Sequence, residues 1–149
     1  MKKIMFVCHG NICRSPLAEF VMKDLVGKQG LSDEFLIESS ATSSEEIGNP
    51  IYPSIKEIMR KHGVPFSEHY AKKLNPDDYE KFDLFVIMDS NNFRNIKRIF
   101  RDDSENKIHF LLEFAGIDGN VADPWYFGNF EKTYSDILIG CKALLECLN

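Results

Sequence analysis

Four short segments, residues 4–7, 35–37, 84–88 and 108–112, are apolar at nearly every position. A strand with one face in water alternates apolar and polar residues, whereas a strand covered on both faces reads as a continuous apolar run. Between these runs the periodicity changes to that of helices. The first helix is expected to open at Ser15 with Pro16 in its first turn, to bury Leu17, Phe20, Val21 and Leu25, and to stop at Gly27. A second starts at Pro53, places Ile55, Ile58, Met59 and His62 on one face, and stops at Gly63. A third follows Met88 with Phe93, Ile96 and Phe100, and a long last one buries Tyr134, Ile137, Leu138, Cys141, Leu145 and Leu148. Parallel strands need crossovers and the crossovers are right-handed, so this order predicts an α/β fold with a doubly wound, four-stranded parallel sheet flanked by helices.

That architecture gives the stretch "FVCHGNICRSP" a definite place. Cys8 follows the first strand and Ser15 opens the first helix, so residues 8–15 form a strand-to-helix loop at the carboxyl edge of the sheet, where such folds bind ligands. Its backbone N–H groups can curl into an anion nest facing the positive end of the helix, with Gly10 allowing a positive φ and Asn11 tolerating one. Arg14 adds a planar fork able to hold two oxygens of a tetrahedral anion. Cys8 would then sit in a positive cup, an environment that lowers a thiol pKa from about 8.5 into a range of roughly 3.5–7.5 and makes the sulfur a nucleophile. Ser15 can donate a hydrogen bond to that sulfur. His9 reads as a rim or packing residue, and Cys13 either packs the loop or serves as a redox partner of Cys8. The basic residues Lys72, Lys73, Lys97, Arg98 and Arg101 read as solvated faces.

Composition narrows the partners. The 149 residues are 44% hydrophobic and 28% charged, as in an ordinary soluble protein, and 1–149 is expected to form a single domain with one core. A net charge of -5 with scattered lysines argues against nucleic acid. The first apolar run reaches polar residues by His9, too short for a signal peptide or membrane span, and the four cysteines read as reduced thiols. A cytoplasmic location away from membranes is expected.

The stretch "VCHGNICRSPLAEF" resembles the phosphate-binding loop of the low-molecular-weight protein tyrosine phosphatases. The likeness continues through "SSATSS" (39–44), "HGV" (62–64), "HYAKKL" (69–74), "FDLFVIMDSNNFRNI" (82–96) and "DPWYF" (123–127). The resemblance implies a two-step hydrolysis of phosphotyrosine and small aryl phosphomonoesters through a cysteinyl phosphate, without metal or other cofactor. Its partners would be phosphotyrosine-containing proteins, with inorganic phosphate as product and a monomer as the working form. It makes Cys8 the nucleophile, Arg14 the phosphate clamp, Asp123 the general acid, Ser15 the hydroxyl beside the nucleophile, and Asn11 and His69 supports of the loop. Substrate would be lined by His9, Gly10, Asn11, Ile12, Cys13, Ser15, Glu45, Trp125 and Tyr126.

Chemistry asks for the acid independently. A tyrosine ester must expel a phenolate whose conjugate acid has a pKa of about 10, and proton delivery to that oxygen contributes typically 10²–10⁴-fold. Asp123 precedes Pro124, which stiffens the turn, and Trp125 and Tyr126 offer rings to flank a substrate ring. Asp89 ends a strand and serves either as a helix cap or as part of the active-site network. Relatives with this loop leave alternatives open. Arsenate reductases of similar fold use two further mid-chain cysteines, which this chain lacks, its others being Cys13, Cys141 and Cys147. Protein-arginine phosphatases carry threonine where this loop has Ile12, and a non-catalytic phosphate-binding module would have no use for both Cys8 and Asp123. Two stretches depart from the family pattern. "TSSEEIGN" puts Glu45 and Glu46 where an aromatic commonly stands, and "IYPSI" replaces a frequent Asp-Pro-Arg.

Overall fold

A computed structural model describes residues 1–149 apart from the side chains of Tyr126 and Phe127. Its sheet contains β1 (Lys2–Cys8), β2 (Phe35–Ala41), β3 (Leu84–Ile87) and β4 (Ile108–Phe110), all parallel, in the order β2-β1-β3-β4. The helices are α1 (Arg14–Lys28), α2 (Pro53–Lys61), the single-turn α3 (Asp78–Lys81), α4 (Ser90–Phe100), the single-turn α5 (Pro124–Phe127) and α6 (Phe130–Leu148).

Side chains alternate across a strand, and β1 shows what that does when both faces are covered. Ile4, Phe6 and Cys8 enter one core with Leu17, Val21, Ile55, Ile137 and Leu144; Met5 and Val7 enter the other with Phe85, Ile87 and Ile96. Leu17, Ile55 and Ile137 are fully buried, and each such side chain contributes about 1.5–3 kcal/mol relative to exposure. Along α6, Gly140 allows a close approach: a Cβ there would meet Leu111 Cγ at 2.4 Å.

Several boundaries differ from expectation, those of β3 and β4 because a side chain takes a backbone amide. β3 stops at Ile87 rather than Met88, since the Met88 and Asp89 amides donate to Asn92 Oδ1 at 3.0 and 3.2 Å. β4 stops at Phe110 rather than residue 112; Glu113 accepts the Phe110 amide at 2.7 Å and Leu111–Ala115 turns into a 3-10 segment. Helix α1 passes through Gly27, and the left-handed residue beyond its end is Gly30, with φ of 71°. Phe93 is 40% exposed on α4, stacked on Phe110 instead of buried. His62 is also outside the core, its ring stacked on Tyr134 at 3.9 Å. Tyr134, Leu138, Leu148 and Leu25 are half-buried.

The sequence reading ended β2 at Ile37, but the strand continues through Glu38, Ser39 and Ser40 to Ala41. Ser39 and Ser40 are buried polar residues beneath the loop that follows β1. Segment 69–74 runs alongside the end of β2, fixed by Ala41 N to Lys72 O at 2.7 Å and Leu74 N to Ala41 O at 2.8 Å.

Candidate active site

The loop from Cys8 to Cys13 is tethered by its carbonyls. Those of Cys8, His9, Ile12 and Cys13 accept from the amides of Thr42, Ser43, Tyr52 and Leu17 at 2.9, 3.1, 2.9 and 3.1 Å. A planar trans peptide whose carbonyl is bonded outward turns the next N–H the opposite way. The amides of His9, Gly10 and Cys13 are thereby directed inward. Asn11 N donates to Cys8 Sγ at 3.4 Å. Cys13 caps α1 without a side-chain bond, which keeps the helix's positive end for an anion. Of Gly10 and Asn11, both open to a positive φ, only Asn11 takes one, at 61°. Asparagine tolerates that conformation because its side chain can bond locally, and here it does so extensively.

Asn11 is fully buried and acts as a hub. Its Nδ2 donates to Ser15 Oγ at 2.7 Å and Ser39 Oγ at 3.0 Å; its Oδ1 accepts from Lys72 N at 3.2 Å and lies 3.1 Å from His69 Nε2. An amide oxygen can only accept, so His69 carries its proton on Nε2. Burial pushes His69 below the ordinary histidine pKa despite the opposing pull of Glu19. Ser15 Oγ in turn lies 3.0 Å from Cys8 Sγ. A continuous line of polar contacts thus runs from segment 69–74 to the sulfur.

Across the cup, Arg14 Nη1 donates to Asp89 Oδ2 at 2.7 Å and to Val121 O at 2.8 Å, while Nη2 reaches Asp123 Oδ2 at 3.5 Å. Burial alone would lower the pKa of this guanidinium, but Cys8, Asp89 and Asp123 outweigh it and hold the group above its ordinary value. Asp123 caps α5 by accepting Trp125 N at 3.0 Å. Cys13 is buried beside the cup, its thiol pushed up to about 12 by burial and then by the charges of Cys8 and Asp123.

These groups share one cavity of about 240 Å³. It is lined by residues 8–14 of the loop together with Glu45, Glu46, Asp123 and Trp125. His9 sits at the rim, 3.0 Å from Glu45 Oε2. The structure therefore brings Cys8, His9, Gly10, Asn11, Ile12, Cys13, Arg14, Glu45, Asp123 and Trp125 to one place. Ser15 and His69 stand behind the loop. The Tyr126 side chain lies outside the described residues. Cys141 is wholly buried on α6, its thiol pushed up by that burial, and Cys147 is exposed near the chain end; neither lines the cavity.

The family described as low molecular weight phosphotyrosine protein phosphatase matches residues 3–149. The low molecular weight protein-tyrosine-phosphatase YfkJ of Bacillus subtilis is 35% identical over 99% of this chain and 96% of its own. The human low molecular weight phosphotyrosine protein phosphatase is 37% identical, covering 97% of this chain and 94% of its own. The crystal structure of SP-PTP, the low molecular weight protein tyrosine phosphatase from Streptococcus pyogenes, superposes with a TM-score of 0.90 at 41% identity, over 100% of this chain and 94% of that one. The chain belongs to the low molecular weight phosphotyrosine protein phosphatase family.

Within this phosphatase, two contributors to the site escaped the sequence reading. Glu19 is buried, held by Ser39 Oγ and Lys23 Nζ, each at 2.6 Å, and lies 3.7 Å from His69 Nδ1. Ser39 itself bonds Asn11. Both positions fall inside stretches that carry the family likeness, but by residue type they look like ordinary helix and strand residues. Asp89 was left between two roles and performs both: Oδ1 accepts Asn92 N at 2.8 Å to cap α4, and Oδ2 holds Arg14. Its signal was a carboxylate at the carboxyl end of β3, the edge where this fold binds ligands.

Proposed function

We propose that this phosphatase hydrolyses phosphotyrosine in proteins, together with small aryl phosphomonoesters, releasing inorganic phosphate through a phosphoryl intermediate on Cys8. Cys8 Sγ attacks phosphorus, forming the S–P bond as the P–O bond to the aryl group breaks. Asp123 gives its proton to the departing phenolic oxygen. Water then attacks the phosphocysteine, Asp123 takes the proton of that water, and the S–P bond breaks to return the sulfur as thiolate with the Ser15 hydroxyl beside it. The loose transition state calls mainly for positioning and charge stabilisation, which Arg14 and the inward amides supply. Trp125, which lines the same cavity, flanks the substrate ring.

The observation that carries this reading is that Cys8, Arg14 and Asp123 line one cavity, with Arg14 Nη2 3.5 Å from Asp123 Oδ2. One chain supplies loop, clamp and acid, which supports a monomer made of a single domain as the working form. A nucleophilic thiol among four free cysteines supports a reducing compartment, the cytoplasm. Phosphate release from a phosphotyrosine peptide in the presence of a chelator tests the function. Turnover that is lost in Cys8→Ser is expected; a Cys8→Ser variant as active as wild type would remove Cys8 from the reaction, and faster turnover of a phosphoarginine peptide would reassign the substrate.

A further inference from the structure

Tyr52 stands immediately before α2, in the stretch where the sequence departs from the family pattern. Its backbone and ring contact different parts of the site. The Tyr52 amide donates to Ile12 O at 2.9 Å, one of the four tethers of the phosphate loop. Its ring meets Trp125 edge to face, with centroids 5.0 Å apart at 69°, and lies nearly parallel to the Phe130 ring at 6.0 Å and 10°. Trp125 is the residue whose amide Asp123 accepts, and Phe130 is the first residue of α6. The tyrosine ring thus touches both ends of the segment that begins at Asp123 and finishes where α6 starts.

We infer that Tyr52 is a positioning residue for the general acid: it clasps the segment carrying Asp123 and fastens it to the phosphate loop through Ile12. The inference rests on the proposed role of Asp123 as proton donor. Backbone bonding at residue 52 does not depend on its side chain, so a substitution there releases the Asp123 segment while leaving the Ile12 tether available. Pro53 in the first turn of α2 fixes the direction in which the chain leaves residue 52. The contacts use the ring face and edge, so phenylalanine should substitute for tyrosine and alanine should not.

Proton donation matters most when the leaving group is a poor one. A displaced acid should therefore steepen the dependence of rate on leaving-group pKa, which a loss of general stability would not do. The test compares kcat/KM for a series of aryl phosphates, from nitrophenyl to unsubstituted phenyl, in wild type, Tyr52→Phe, Tyr52→Leu, Tyr52→Ala, Asp123→Asn and the Tyr52→Ala/Asp123→Asn double variant. Urea unfolding monitors stability. A displacement on the order of 1 Å can cost about 100-fold, so Tyr52→Ala should lose roughly ten- to hundredfold on phenyl phosphate and much less on nitrophenyl phosphate. Tyr52→Phe should match wild type, and Tyr52→Ala should add no further steepening once Asp123 is gone. Tyr52→Leu keeps apolar volume without a flat ring and serves if Tyr52→Ala fails to fold. Equal losses across the series, or none, in the folded variants would overturn the inference. A flat series in Asp123→Asn would instead overturn the role of Asp123 on which it rests.

Discussion

Asp89 holds Arg14 with one carboxylate oxygen, at 2.7 Å, and caps α4 with the other. The Arg14 fork, proposed to grip the phosphate, is thus aimed by a residue at the carboxyl end of the neighbouring strand. The two tasks separate by substitution. Asparagine caps a helix as well as aspartate does, so Asp89→Asn should keep the cap through Oδ1, while the amide nitrogen that replaces Oδ2 cannot accept from Arg14; losing a charge-assisted hydrogen bond worth about 1.5–3 kcal/mol should lower kcat/KM by roughly ten- to hundredfold. Asp89→Ala loses the cap as well and should be about 1 kcal/mol less stable than Asp89→Asn. Full activity in Asp89→Asn would show that Arg14 needs no charged orienter.

Asn11 combines a left-handed backbone with four side-chain contacts, and glycine and alanine distinguish the two. Asn11→Gly keeps the backbone at φ of 61° without strain but loses the hub; Asn11→Ala loses the hub and adds about 1–2 kcal/mol of strain. Both variants should show reduced kcat, with Asn11→Ala the less stable in urea by about that amount. Recovery of wild-type kcat in Asn11→Gly would make the hub dispensable.

The same hub makes stability depend on pH through His69. Its folded pKa lies below the unfolded value of about 6.5, so between the two values the unfolded chain binds more protons. The contribution of His69 is whole above the unfolded value, falls as pH drops through the window, and levels off below the folded value. Glu19 and Lys23 on α1 and Lys72 on its own segment are the charges acting on it. Urea midpoints across this range should therefore decline more in wild type than in His69→Gln. Parallel curves would contradict the assignment.

Glu45 is a rim residue with its side chain 70% exposed, paired with His9, so its influence on substrates is screened. Exposed charge pairs are worth about 0.2–1 kcal/mol, which limits Glu45→Gln to changes in KM of up to about fivefold. KM should fall for a phosphopeptide with acidic neighbours, rise for one with basic neighbours, and converge at high salt. Unchanged preference between the two peptides would exclude Glu45 from selection.

The legible parts of this protein were those set by local rules. Apolar runs revealed the sheet because both its faces are covered, and the Cys8–Ser15 loop was readable because an anion cup needs particular residue types close together. Element ends were missed where a polar side chain one turn further along takes a backbone amide, as Asn92 does at Met88 and Glu113 at Phe110. Glu19 and Ser39 were missed because their importance exists only after β2, α1 and segment 69–74 have come together. A positive φ was open to both Gly10 and Asn11; Asn11 takes it, where its side chain has four partners.

Trapping the phosphoryl group on sulfur tests the account at its centre. Asp123→Ala, supplied with p-nitrophenyl phosphate, should form the intermediate readily and hydrolyse it slowly, since the good leaving group needs no acid while the water still needs a base. Rapid acid quench followed by peptide mass spectrometry should find the phosphoryl group on the peptide containing Cys8, absent when Cys8→Ser is combined with the same variant. Turnover with Cys8 unmodified at every quench time, or a phosphoryl group on any other residue, would contradict it.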